Sequence, residues 1–108
     1  MAQYLVQVAY TSEAMASLVN TPQDRIVVVG KAIKKLGGKV VNGWMCLGEY
    51  DTALVAHLPD NVAAAAFALA IGAGGACKNI KTTPLLSVEE SIAAMKAAGT
   101  LGYKPPSA

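Results

Sequence analysis

The sequence predicts an α+β domain in which helices pack on one face of a four-stranded antiparallel sheet. Two apolar runs, residues 39–47 and 52–58, flank a connection of about four residues that contains Gly48 and Asp51. Gly48 supplies backbone freedom and Asp51 can hydrogen-bond its own backbone, so the two runs are predicted to form a β-hairpin. A helical stretch lies on each side of this hairpin, and a further apolar run lies outside each helical stretch. This symmetry predicts the order β-α-β-β-α-β.

The first apolar run, residues 3–10, alternates as a half-buried strand does. One face of this strand carries Tyr4, Val6, Val8 and Tyr10, and the other carries Leu5, Gln7 and Ala9. Thr11 follows directly and is expected to cap a short helix.

A second helical segment is expected after a break at residues 20–22. Thr21 suits its N-cap and Pro22 its first position. Helical spacing continues to the stop at residues 37–38 through Ile26, Val29, Ile33 and Leu36. The β-branched run within this segment would suit a strand, but caps at both ends and the unbroken period favour a helix.

The second half of the chain repeats the pattern. Asp60 is expected to cap a helix that runs to about residue 71 and leaves through the glycine-rich residues 72–75. A phosphate-binding loop joins a strand to the start of a helix, whereas this segment leaves a helix, so no phosphate site is predicted.

The last predicted strand covers residues 79–86, and Pro84 within it indicates a sheet edge or a bulge. Ser87 and Glu90 have the spacing of a capping box, which predicts a terminal helix that ends near Gly99. The complete order is the split βαβ, ferredoxin-like arrangement with an added C-terminal helix.

These elements divide the chain into a domain over residues 1–99 and a C-terminal tail over residues 100–108. Helices cover only one face of such a sheet. The other face is partly apolar here, so we expect a second subunit to cover it and the protein to be a homo-oligomer.

Composition narrows the class of protein. A length of 108 residues suits one domain, and the 54% hydrophobic content comes largely from small side chains, which favour close packing. The net charge of +2 is dispersed along the chain. RNA binding on a sheet face needs exposed aromatic and basic residues, and the central strands offer only Trp44. No nucleic-acid partner is therefore predicted. The longest nearly uncharged stretch, residues 62–77, is shorter than the roughly 20 residues of a membrane span, so no membrane association is predicted.

The two cysteines, Cys46 and Cys77, show no CxxC motif and no histidine spacing typical of zinc. No basic and then apolar signal segment precedes the first strand. We therefore expect a cytoplasmic protein with reduced thiols, no metal site and no cofactor.

Three stretches resemble the GYD domain family over about residues 3–95. They are residues 36–40, the central Gly48, Tyr50 and Asp51, and the Pro59-Asp60 pair before the alanine-rich residues 63–70. The resemblance implies a ferredoxin-like fold of the dimeric α/β-barrel kind, in which two sheets face each other. Members are small bacterial or archaeal proteins. Relatives by fold include cofactor-free monooxygenases, isomerases and ligand-binding regulatory domains, which are analogies only.

The hairpin also predicts where chemistry could take place. If Gly48 pairs with Asp51, then Asn42 faces His57, Trp44 faces Val55 and Cys46 faces Ala53, all on the side away from the helices. The opposite side is expected to form core beneath the helices through Val41, Met45, Leu47, Leu54 and Leu58. Gln7 is expected to line the same space as Trp44, together with Lys81 and Thr83.

His57 is the one histidine of the chain and is a candidate general acid or base, because imidazole exchanges protons near neutral pH. The alternative is an interface histidine that is satisfied by Asn42 or by a partner chain. Trp44 suits either stacking on a flat ligand or anchoring an interface. Tyr50, beside Glu49 and Asp51, suits either a ligand contact or packing on the barrel rim.

Two functions remain open at this point. The first is small-molecule binding, or cofactor-free catalysis by His57, in a cavity at the sheet face with Gln7, Asn42, Trp44 and Tyr50 as ligand contacts. The second is a regulatory or scaffolding module whose sheet face and alanine-rich helix serve assembly. A sheet face filled by the partner's side chains would favour the second.

Overall fold

Four antiparallel strands form one sheet in the order β2-β3-β1-β4, in a computed structural model that describes residues 1–107. Along the chain the elements are β1 (Ala2–Tyr10), α1 (Ser12–Asn20), α2 (Arg25–Lys35), β2 (Lys39–Met45), β3 (Thr52–Leu58), α3 (Asn61–Ala73), β4 (Cys77–Leu85) and α4 (Val88–Ala98). This is the ferredoxin-like arrangement predicted from the sequence, with α4 added. Pro84 lies in the edge strand β4, as its missing N–H predicts.

The side chains that begin three of the helices are the predicted ones. Thr11 Oγ1 accepts a hydrogen bond from the Ala14 N–H at 3.1 Å, and Asp60 Oδ1 accepts one from the Ala63 N–H at 2.9 Å. Ser87 and Glu90 form both halves of the capping box at the start of α4. Each bond satisfies a backbone N–H that has no partner inside its helix.

The start of α2 differs from the sequence prediction. Asp24, not Thr21, is the N-cap, and its Oδ1 accepts from the N–H groups of Ile26 and Val27. Thr21 instead closes α1, where its backbone N–H donates to the Ser17 carbonyl at 2.8 Å. Pro22 therefore lies in the linker between the two helices and not at a first helical position.

The core lies between the helices and one face of the sheet. Ile33 of α2 and Phe67 of α3 are fully buried against this face. Its strand residues are Tyr4, Val6, Val8, Leu54, Ala56 and Leu58. The predicted burial of Leu54 and Leu58 is thus confirmed, and alternation along β1 and β3 places every second side chain on the opposite face.

Three residues that were predicted to be core are exposed, namely Val41 (52%), Met45 (69%) and Leu47 (97%). Val41 falls in a bulge of β2, and Leu47 lies beyond the end of that strand. Beneath α2 the strand instead presents Gly43, where an added Cβ would meet the Ile26 side chain at 2.5 Å. The sequence prediction was wrong here because β2 is an edge strand and α2 approaches its backbone closely.

The helix α4 stands away from the rest of the chain. It buries no residue, and its apolar side chains Val88, Ile92 and Met95 are 76%, 46% and 70% exposed. The radius of gyration is 17.3 Å, whereas about 13 Å is expected for a compact chain of this length. Residues 100–107 form neither helix nor strand. No helix within residues 1–107 is long and apolar enough to cross a membrane.

Candidate functional site

The sheet face that carries no helices, here called the helix-free face, presents three rows of side chains. Residues 53, 55 and 57 of β3 lie on it because residues 52, 54, 56 and 58 are buried on the other side. Strand pairing gives a first row of Trp44, Ala53, Gln7 and Lys81, a second of Asn42, Val55, Leu5 and Thr83, and a third of Lys39, His57, Gln3 and Leu85.

The hairpin register differs from the predicted one. Asn42 pairs with Val55 and Trp44 pairs with Ala53, so the predicted pairs Asn42 with His57 and Trp44 with Val55 are wrong. The offset is two residues at Asn42 and Trp44, and an even offset leaves these side chains on their predicted face, whereas the bulge at Val41 turns Val40 toward the core. Asn42, Trp44 and His57 therefore share the helix-free face.

A longer connection causes the offset. The Cys46 N–H donates to the Asp51 carbonyl at 2.8 Å, so Cys46 pairs with Asp51 and not with Ala53. The chain between the two strands therefore spans residues 46–51. A turn of four residues was expected.

The structure brings some of the candidate residues together and separates others. Gln7 and Trp44 share the first row and lie on either side of Ala53. Lys81 lies in the same row at the far edge of the sheet. His57 faces Lys39 and Gln3, two rows away. At about 3.3 Å per strand residue, this distance is roughly 13 Å. The candidates therefore line an extended surface and do not converge on one point.

The candidate side chains of the helix-free face differ in whether they form hydrogen bonds within the chain. Asn42 Oδ1 accepts from the Gly43 N–H at 2.8 Å. Within residues 1–107, the side-chain hydrogen bonds include none made by Gln7, Trp44 or His57. Trp44 is also 52% exposed. Water, a ligand or a second chain can therefore bind these groups without breaking an internal contact.

Tyr50 lies at the end of the sheet, beside the helix-free face. Its hydroxyl accepts a long hydrogen bond of 3.5 Å from Asn79 Nδ2, and its carbonyl accepts from Cys46 Sγ at 3.2 Å. Ala9, which pairs with Asn79, is only 2% exposed. The residue 46–51 connection thus closes this end of the face, with Tyr50 at its border.

Asp51 holds that connection on β1. Its backbone N–H donates to the Val8 carbonyl at 2.8 Å, and its Oδ2 accepts from the Tyr10 N–H at 2.9 Å. The Tyr10 N–H is available because a register shift separates Ala9 from Tyr10 in the pairing with β4. The carboxylate of Asp51 is therefore committed to the backbone, which is a structural role.

A concave site that the sequence did not predict lies on the other side of the sheet. This helix-side cavity has a volume of about 430 Å³, is bordered by α1, α2 and α3 over β1 and β3, and is partly open to solvent. Its polar groups include Tyr10, Arg25 and Thr52. The small residues Ala14, Ala70 and Ala76 in its walls are the signal that the sequence offers for this cavity, but small side chains are equally typical of close packing.

Cys77 also lines the helix-side cavity. Burial raises the pKa of its thiol, and the nearby positive charge of Arg25 opposes this rise. Both cysteines are free thiols. Residues 1–107 contain no group of three or more His, Cys, Asp or Glu side chains that could hold a metal ion.

Comparison with known proteins agrees with this geometry. The family model of the GYD domain matches residues 4–95. The chain belongs to the GYD domain family. The structure gives a reason for Gly48 and Asp51 in the central connection, because Gly48 has a φ of +111° that other residues rarely adopt and Asp51 fixes the connection to β1.

The solved "crystal structure of FFRP-DM1" resembles this GYD domain protein with a TM-score of 0.50 and 14% sequence identity. The likeness covers 80% of this chain and 100% of that chain. At this identity it shows a shared fold. No curated protein is significantly similar in sequence.

Proposed function

We propose that this GYD domain protein is a homodimer that pairs its helix-free faces and binds a small molecule between them. One observation carries the proposal: the apolar centre formed by Leu5 and Val55 lies uncovered between polar side chains that have no internal partner. Gln7 and Trp44 lie on one side of this centre and His57 lies on the other.

A second copy of the chain is the cover that suits this face. Domains bury the apolar side of a sheet against a further layer, and most homo-oligomers do so with the same patch on both subunits. Four strands of about seven residues have a footprint of roughly 450 Å², less than the roughly 800 Å² per partner of a stable interface. We propose that α4 contributes the rest of the buried area, because its exposed side chains Val88, Ile92 and Met95 recur at helical spacing and form one apolar face.

The composition of the face supports a ligand within the interface. Facing sheets lie about 10 Å apart, and large apolar side chains from both are needed to fill that space. The first row instead carries Ala53, Gln7 and Lys81 beside Trp44. Two such faces leave a space with polar walls, in which Trp44 stacks on a flat molecule while Gln7 and Asn42 form hydrogen bonds.

The geometry supports binding better than catalysis. His57 lies two rows from Trp44 and Gln7, and its neighbours Lys39 and Gln3 include no carboxylate to orient it. In the proposed site His57 contacts the ligand as a hydrogen-bonding group and Tyr50 lies at the border. The free thiols of Cys46 and Cys77 support a cytoplasmic location.

A scaffolding role is the second candidate, and the edge strand β2 favours it. Val41, Met45 and Leu47 present exposed apolar side chains along this edge and its exit. Exposed apolar patches of this kind mark surfaces for protein contacts. In this alternative the sheet faces close on each other without a ligand.

Native mass spectrometry of freshly purified protein tests the proposal, because it reports assembly and retained ligand together. We expect a mass of 22.2 kDa, twice the chain mass of 11.1 kDa, plus a bound molecule. Gln7→Leu keeps the size and removes the amide, so the dimer should persist and the ligand should be lost. The control Asn20→Leu, at the exposed end of α1, should change neither. A ligand retained equally by both variants would contradict the proposed position, and an empty dimer would favour the scaffolding role.

A further inference from the structure

The helix-side cavity lies on the opposite side of the sheet from the helix-free face. Its floor and inner wall are apolar and are formed by Val8, Leu54 and Phe67. The volume of about 430 Å³ lies within the 300–1,000 Å³ range of small-molecule sites. It is therefore large enough for a ligand and independent of the proposed dimer interface.

Small side chains leave this space unfilled. Ala14 of α1, Ala70 of α3 and Ala76 after α3 lie in its walls, and α1 buries no side chain at all. Protein interiors are normally packed without voids much larger than a water molecule. An apolar ligand group that covers these walls removes apolar surface from water and would therefore gain free energy by entering the cavity.

The polar groups of the cavity include a hydroxyl pair and one guanidinium. The hydroxyls of Tyr10 and Thr52 lie 3.2 Å apart, and either can donate to the other. Arg25 is the one charged side chain among the lining residues of the described chain. Its Nη1 donates to Gln23 Oε1 at 3.0 Å.

The acid next to Arg25 in the sequence does not occupy its guanidinium. Asp24 is its neighbour in the sequence, but the Asp24 carboxylate accepts from the N–H groups that begin α2. A guanidinium has five N–H donors in a fixed plane, and one of them is used by Gln23. The others can form the bidentate pair that a carboxylate favours.

We infer that the helix-side cavity binds a small amphipathic carboxylate. The apolar body of the ligand packs on Phe67 and Leu54, and its carboxylate pairs with Arg25 at the mouth. The Tyr10 and Thr52 hydroxyls supply a second polar contact for ligands that carry a hydrogen-bonding group midway along the body. The positive charge of Arg25 complements the carboxylate and the apolar walls complement the apolar body, so an amphipathic acid should bind more tightly than a neutral or cationic molecule of the same size.

Titration of the 108-residue chain with octanoate and with 3-phenylpropanoate, followed by backbone amide NMR, tests this inference. We expect saturable binding of at least one acid, with shifts concentrated at Val8, Leu54 and Phe67. Arg25→Gln should weaken binding of the acid by about tenfold or more, as expected for loss of a charge-assisted contact. Lys31→Gln, an exposed charge on the same helix, should leave the affinity unchanged.

Two further measurements distinguish the cavity from other sites. 1-Octanol should bind with an affinity that Arg25→Gln does not change, and Ala70→Phe, which fills the space, should abolish binding of octanol and of the acids. Failure of both acids to bind, or equal effects of Arg25→Gln and Lys31→Gln, would overturn the inference. Shifts at Gln7 and Trp44 in place of the cavity residues would also overturn it, and would assign the ligand to the helix-free face.

Discussion

Asp51 Oδ2 accepts a hydrogen bond from the backbone N–H of Tyr10 at 2.9 Å, which joins the central connection to the end of β1. Asp51→Ala should therefore lower the free energy of unfolding by about 1–3 kcal/mol, because it leaves a partly buried N–H without an acceptor. Asp51→Asn keeps an acceptor oxygen and should cost less. Urea unfolding measures both, and Glu49→Ala, at an exposed position of the same connection, should change stability by less than about 0.5 kcal/mol. A loss for Asp51→Ala no larger than for Glu49→Ala would contradict the structural role.

Gly38 lies against the backbone of the hairpin. An added Cβ would collide with the His57 carbonyl oxygen and would lie 2.9 Å from Leu58 Cδ2. Gly38→Ala should destabilise the fold by about 2 kcal/mol or more, because a backbone atom cannot move aside as a side chain can. Gly30→Ala within α2 is the matched control, since the added Cβ would meet only Val40 Cγ2, at 3.6 Å. There alanine should be neutral or stabilise by up to about 1 kcal/mol. Thermal unfolding that ranks the two variants in the reverse order would contradict the close approach of Gly38 to the β3 backbone.

The thiol of Cys77 should react slowly with iodoacetamide. Burial raises its pKa, so at pH 8 a smaller fraction is thiolate in the folded protein than in the unfolded chain. Arg25 lowers this pKa, so Arg25→Gln should raise it and slow alkylation further. Peptide mass spectrometry after timed alkylation gives the rate at Cys77 alone. A folded-state rate equal to that in denaturant would mean that the helix-side wall is open to solvent.

The C-terminal tail is predicted to lie outside the core. Residues 100–107 contain exposed Leu101 and Tyr103 but no helix or strand. Deletion of residues 100–108 should leave the amide NMR spectrum of the sheet and its unfolding midpoint unchanged. An insoluble or molten truncated protein would show that the tail stabilises the fold.

Local signals in the sequence were sufficient for the architecture. Thr11, Asp60 and the Ser87–Glu90 pair start helices in the structure as predicted, because capping depends on residues three or four positions apart. The ferredoxin-like order and the edge position of Pro84 follow from strand alternation and from turn chemistry.

Features that depend on distant contacts were predicted less well. The hairpin register is set by Asp51 bonding to Val8 and Tyr10 of β1, which no local pattern in the hairpin reveals. Exposure of Met45 follows from the edge position of β2, and the helix-side cavity follows from how α1 and α3 meet over the sheet. The face on which Asn42, Trp44 and His57 lie was still predicted, because an offset of two residues preserves it.

Pairing of the helix-free faces is the central claim, and sedimentation equilibrium at low micromolar concentration tests it most directly. Wild type and Val19→Lys, a control on the exposed side of α1, should sediment at 22.2 kDa, twice the chain mass of 11.1 kDa. Val55→Lys places a charge at the apolar centre of the face and should sediment at 11.1 kDa with unchanged circular dichroism. A wild-type protein that sediments only at 11.1 kDa, or a Val55→Lys variant that stays dimeric, would contradict the proposed pairing.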